Sequence, residues 1–166
     1  GHWSRLLYVL AGLAGVFVLV AVASVVWSST SFKVPPIPKE LGGMALVRTE
    51  TGPDAMAEVG GMHAGTFTLQ DAWIAVYEQG ATVWVGEAKS EAEAEQLLQA
   101  MVSAIGRGGS PFSSPNQTVV SGKFMFATTD GKQQHFFYST GKRVVWAAAP
   151  SGDGMRFVQA VAAFLR

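Results

Sequence analysis

Residues 73–105 read WIAVYEQGATVWVGEAKSEAEAEQLLQAMVSAI. Two short runs, 73–77 and 82–85, are rich in β-branched and aromatic side chains. Gly80 lies in the four residues between them, which predicts a hairpin. Ser90-Glu91-Ala92-Glu93 then spells a capping box, with Ser90 accepting from the third helical N–H and Glu93 reaching back. Ala94, Leu97, Leu98, Met101, Val102 and Ile105 follow at helical spacing as one apolar stripe. Gly106 and Gly108 are expected to end that helix.

A similar unit lies downstream. After the loop GGSPFSSP at 108–115, strands are predicted over 123–129, 133–138 and 143–149. Asp130-Gly131 is a two-residue hairpin signal, and 139–142 makes the next turn. A closing helix is expected from Asp153, its stripe formed by Gly154, Phe157, Val158, Val161, Ala162 and Leu165. Laid against each other, 75–101 and 136–161 match Tyr77 with Tyr138, Gly80 with Gly141, Val83 with Val144 and Ser90 with Ser151. This is a weak internal repeat of hairpin–helix units. Upstream, 44–50 alternates as a strand, and 52–65 reads as a glycine-rich loop with a short helical turn over 54–59.

These elements predict an α+β domain over 41–166. It has an antiparallel sheet of five or six strands and two helices on one face, burying both stripes. The aromatic strand residues would then fall on both sides of the sheet while only one side is covered. The open side, or the 110–115 loop with Phe112, is therefore a candidate docking surface, with Arg107 beside it.

The N-terminal part differs. Residues 6–27, LLYVLAGLAGVFVLVAVASVVW, carry no charge. As a helix they would span about 33 Å, the thickness of a bilayer core with some tilt. A transmembrane helix over 6–27 is expected, following a tail at 1–5 and preceding a Ser/Pro linker at 28–40. Trp3, Tyr8 and Trp27 suit the membrane interfaces. Ala11, Gly12 and Gly15 would let a partner helix approach closely. A cleavable signal peptide would end near Ala21-Val22-Ala23, but the apolar run continues to Trp27. The expected arrangement is single-pass, with the N-terminus cytoplasmic and the C-terminal domain extracytoplasmic (periplasmic).

The chain has 166 residues, 12 Lys plus Arg, 12 Asp plus Glu and no cysteine. Zero formal charge supplies no electrostatic footprint for nucleic acid. Without cysteine there is no disulfide, thiolate metal site or catalytic thiol. Neither nucleotide-binding glycine motif occurs in a fitting context, and no HExxH or paired metal-ligand spacing is present. Ser139-Thr140-Gly141-Lys142 spells S-x-x-K, but it falls in a hairpin turn and lacks its companion motifs. No catalytic residue, metal site or cofactor is therefore assigned. His63, in a glycine-rich stretch, and His135, on a strand, are the weak cofactor-binding candidates.

The expected function follows. The chain reads as a non-catalytic, single-pass accessory subunit of a larger bacterial membrane complex, of respiratory or photosynthetic electron-transfer type. Its outer domain would dock on partner subunits, and its other partner is the lipid bilayer. The alternative is a membrane-anchored ligand-binding or sensing domain with a pocket near the 52–65 loop.

Overall fold

The computed structural model describes residues 36–62 and 67–166. The elements run β1 Glu40–Leu41, β2 Met44–Thr51, α1 Pro53–Met62, β3 Asp71–Tyr77, β4 Thr82–Glu87, α2 Glu91–Gly106, β5 Asn116–Val120, β6 Lys123–Thr129, β7 Gln134–Thr140, β8 Arg143–Ala149 and α3 Gly154–Phe164. All strands join one antiparallel sheet in the order β1-β2-β3-β4-β8-β7-β6-β5. The two meanders meet at β4–β8, where Trp84 lies directly opposite Trp146.

The expected fold class is corrected in three respects. Among the described residues the sheet has eight strands rather than five or six, and three helices rather than two cover both of its faces. The added strands are β1, only two residues long, and β5, whose sequence NQTVV offers little apolar alternation. The β5–β6 hairpin closes through Ser121 and Gly122, both at positive φ (52° and 78°), the type I′ turn that matches strand twist. The expected glycine-rich loop begins instead as helix α1. Pro53 stands at its first position, where a missing N–H costs nothing, and Asp54 lies in its positive first turn.

The two faces build separate cores. On one, Ala55 and Val59 of α1 and Ala94, Leu97, Leu98 and Met101 of α2 bury against Ala72, Ile74, Phe137, Val144 and Trp146. On the other, Phe157, Val158, Val161 and Ala162 of α3 bury against Tyr77, Val83, Phe136, Tyr138, Val145 and Ala147. The open aromatic face expected from the sequence is therefore the face that α3 covers. The reason is local. A Cβ on Gly154 would lie 2.9 Å from the Cβ of Ala149, so the helix folds back directly over the side to which Ala149 points. The two hairpin–helix units thus send their helices to opposite faces, and they do not superpose as copies.

Sequence expectation and structure agree closely at α2. Ser90 Oγ accepts from Glu93 N–H at 3.1 Å, while Glu93 reaches back to the N–H of Lys89 at 3.3 Å, one residue before the cap. Two tyrosines fasten the domain's ends. Tyr77 donates to Pro38 O at 3.0 Å and Tyr138 to Leu165 O at 3.1 Å. Burial pushes the Tyr77 hydroxyl up to about 12 and raises that of Tyr138 further, so both remain donors throughout the physiological range.

The expected membrane helix, with Trp3, Tyr8, Ala11, Gly12, Gly15 and Trp27, lies outside the described residues, as does His63. Among the described residues no helix is long and apolar enough to cross a membrane.

Candidate functional site

The site grows from β7 and β8. Phe137 lies opposite Trp146 in the ladder, and their rings stack at 4.7 Å with planes 10° apart. Phe126 stacks on the far side of Phe137 at 5.6 Å. His135, two residues before Phe137, shares this face by strand alternation. Trp146 Nε1 donates to His135 Nδ1 at 2.9 Å. An indole N–H can only donate, so His135 carries its proton on Nε2, which faces Asp130 Oδ2 at 3.5 Å, too far for a hydrogen bond.

The electrostatics follow from burial. His135 is 5% exposed. Desolvation lowers its pKa, and the Asp130 carboxylate opposes that shift only in part. The imidazole is therefore neutral near pH 7. Asp130 accepts the backbone N–H groups of Gln133 and Lys132, both at 2.8 Å. These two bonds, the Gln133 one first, pull it down to about 2, with a smaller pull from His135. Both ring nitrogens of His135 are directed at protein groups, so this chain presents no open imidazole there for a cofactor.

Phe112 completes the cluster. Ser113 is fastened to the end of β6: its N–H donates to Thr129 O at 2.9 Å, and its Oγ accepts from Thr129 N at 3.2 Å. The Thr128 hydroxyl also donates to Ser113 O. This fastening folds the 108–115 loop back over the sheet. It sets the Phe112 ring edge-on to His135 at 4.9 Å and tilted over Trp146 at 5.3 Å. Two sequence candidates, Phe112 and His135, thus meet in one place. Phe112 packs there as a half-buried lid. Arg107, the other docking candidate, is exposed at the C-cap of α2.

An apolar cleft of about 290 Å³ opens beside this cluster. It is lined by Met62, Met101, Ala104, Ile105, Ser110, Phe112 and Trp146. Met101, Ala104 and Ile105 come from one face of α2, Met62 from the end of α1, and Trp146 from β8. None of these residues is charged. The single polar side chain is Ser110, whose Oγ accepts from Phe112 N–H at 3.4 Å. Its own hydroxyl proton remains available to donate. The sequence marks Met101 and Ile105 only as core stripe. The cleft depends on where the 108–115 loop lands, which the Ser113 fastening decides.

The other pairings carry less chemistry. Ser139 Oγ donates to Glu95 Oε2 at 2.8 Å. Bonds from Gln99 and Ser139 hold Glu95 below the usual carboxylate range, which makes it a poor base at neutral pH. Among the described residues no group of three His, Cys, Asp or Glu side chains could hold a metal ion. Comparison with protein-family models, curated proteins and solved structures finds no match to this chain.

Proposed function

We propose that this chain is a membrane-anchored binding domain that takes a small, neutral, largely apolar molecule into the cleft over Trp146. The observation that carries the reading is the cleft itself: about 290 Å³, with no charged side chain among the described residues that line it. Apolar ligand sites have this character, an apolar lining with one or two placed polar groups. Ser110 adds one donor, so the ligand class is a flat one- or two-ring molecule with an oxygen acceptor. Met62 and Met101 give two walls that adapt to shape. Anchoring rests on the uncharged run 6–27.

The magnitude is modest. Burying about 200 Å² of aromatic surface at about 25 cal/mol per Å² gives about 5 kcal/mol, a Kd of about 0.2 mM. Thermal unfolding of the full chain in lipid nanodiscs, with and without 2-naphthol, tests the reading. At ten times Kd the ligand should stabilise the domain by about 1.4 kcal/mol. Ala104→Phe, which fills the cleft from an exposed helix position, should abolish the shift. No shift in the wild type, or an equal shift in the filled variant, contradicts the reading.

A second reading, an accessory subunit of a larger membrane assembly, is favoured by one separate observation. Phe124 is 79% exposed and its cross-strand neighbour Val119 is 56% exposed, an apolar pair outside the cleft. Under this reading Gly15→Leu loosens association with partner subunits in mild detergent, and an unchanged complex rejects it.

A further inference from the structure

The two edges of the sheet are built differently. At one, β1 is only two residues long, β2 bulges at Val47, and Arg48 and Glu50 form an ion pair at 3.8 Å. Short strands, bulges and charges are how natural sheets prevent edge pairing. At the other edge β5 has none of these. It reads Asn-Gln-Thr-Val-Val, five uncharged residues in regular register with β6, and the sheet order ends with it.

The turn determines which backbone groups are open. A two-residue turn at Ser121-Gly122 closes on Val120 and Lys123, a hydrogen-bonded pair. By alternation Thr118 and Asn116 also bond to β6, so the N–H and C=O groups of Gln117 and Val119 point outward. On the same sheet face as Val119 stands Phe124, its neighbour across the hairpin.

We propose that β5 pairs antiparallel with β5 of a second copy of this chain, about a two-fold axis through Thr118. That register sets Gln117 opposite Val119 of the second copy, and the reverse, so the open groups form two hydrogen-bonded pairs. Thr118 faces its own symmetry mate, a favourable cross-strand combination. Val119 continues an apolar row from Phe124 toward Gln117 and Phe126 of the second copy.

The occupant is a second copy because an isologous contact requires a self-complementary strip. An uncharged strand centred on threonine meets that requirement. In the stretch 116–129 the single charge is Lys123, and its ammonium lies 5.0 Å from the ring centroid of Tyr138 in its own domain. Within β5 and β6 no like charges therefore meet across the axis, and a charged partner strand would find no counter-charge on β5. This inference does not depend on the cleft, so either can fail alone.

The chain has no cysteine, which gives a direct test on the full chain in mild detergent. Thr118 and its symmetry mate form the closer, non-hydrogen-bonded type of pair, with Cα atoms about 4.5 Å apart, inside the range a disulfide spans. Thr118→Cys should oxidise to a covalent dimer that survives denaturing electrophoresis without reductant. Val47→Cys, exposed at the opposite edge, should not. In parallel, sedimentation should give twice the chain mass for the wild type. Val119→Lys or Gln117→Pro, which removes only an outward N–H, should halve it with an unchanged circular dichroism spectrum. A wild type at single-chain mass overturns the proposal. So does a dimer that survives both edge variants, or equal cross-linking by the two cysteine variants.

Discussion

The indole of Trp146 and the imidazole of His135 are joined by a buried hydrogen bond of 2.9 Å. The bond ties β8 to β7 on the face that floors the cleft. It fixes the His135 tautomer and hence directs a proton, rather than a lone pair, at Asp130. Removing the donor should be costly because Nδ1 would then be buried without a partner. Trp146→Phe should lower the unfolding free energy by about 2–3 kcal/mol, of which at least about 1 kcal/mol belongs to the orphaned acceptor. In a His135→Leu background the same change should cost about 1 kcal/mol less. Strict additivity in urea unfolding would show that the bond contributes nothing.

Stability should depend on pH through the same histidine. Its folded pKa lies below the ordinary 6.5 because burial disfavours the charged ring. The unfolded chain then binds more protons, so stability is full above about 6.5 and declines as pH falls toward the lowered folded value. Asp130 is depressed to about 2, so its contribution is lost only between its ordinary 3.8 and about 2. Urea midpoints measured from pH 7.5 to 4.5 should fall in the wild type and flatten over that span in His135→Phe. An unchanged slope in the variant would place the effect elsewhere.

Gly42 and Gly43 form a matched pair. Both have positive φ, 60° and 83°. A Cβ on Gly43 would meet nothing within 4 Å, whereas one on Gly42 would lie 2.7 Å from the Cα of Phe157. Gly43→Ala should therefore cost only the left-handed strain of about 1–2 kcal/mol. Gly42→Ala must also push α3 off the sheet and should cost clearly more. Equal losses for the two, measured by thermal unfolding, would mean that the close approach of β1–β2 to α3 is wrong.

The N-cap of α2 gives a smaller, cleaner effect. Ser90→Ala removes the bond to Glu93 N–H and should cost about 1 kcal/mol, while Ser90→Asp should be nearly neutral. A loss of comparable size in Ser90→Asp would argue that the hydroxyl, and not capping, matters there.

That cap was legible because a capping box is a local signal, and so were the six longer strands and both apolar stripes. What escaped was non-local or polar. NQTVV in β5 carries no alternation, and its turn signal Ser121-Gly122 is a single dipeptide. Gly60 and Gly61 disguise the end of α1, whose start Pro53-Asp54 is regular. The side taken by α3 depends on one tight contact, Gly154 on Ala149, which spacing does not reveal. The site was legible only as separate parts. Phe112 and His135 stood out for different reasons, and the fastening of Ser113 to Thr128 and Thr129 brings them together beside Trp146. The membrane helix expected over 6–27 rests on the sequence alone.

The cleft over Trp146 is proposed to hold a neutral apolar molecule, and methionine methyl NMR reads that site directly. The full chain, labelled at its methionine methyls and held in nanodiscs, would be titrated with 2-naphthol. Met62 and Met101 line the cleft, while Met44 and Met125 are buried in the core on the opposite face. Saturable shifts are expected at Met62 and Met101 with Met44 and Met125 unmoved, and they should be lost in Ala104→Phe. Silent Met62 and Met101 signals at saturating probe, or shifts spread equally over all four, would contradict it.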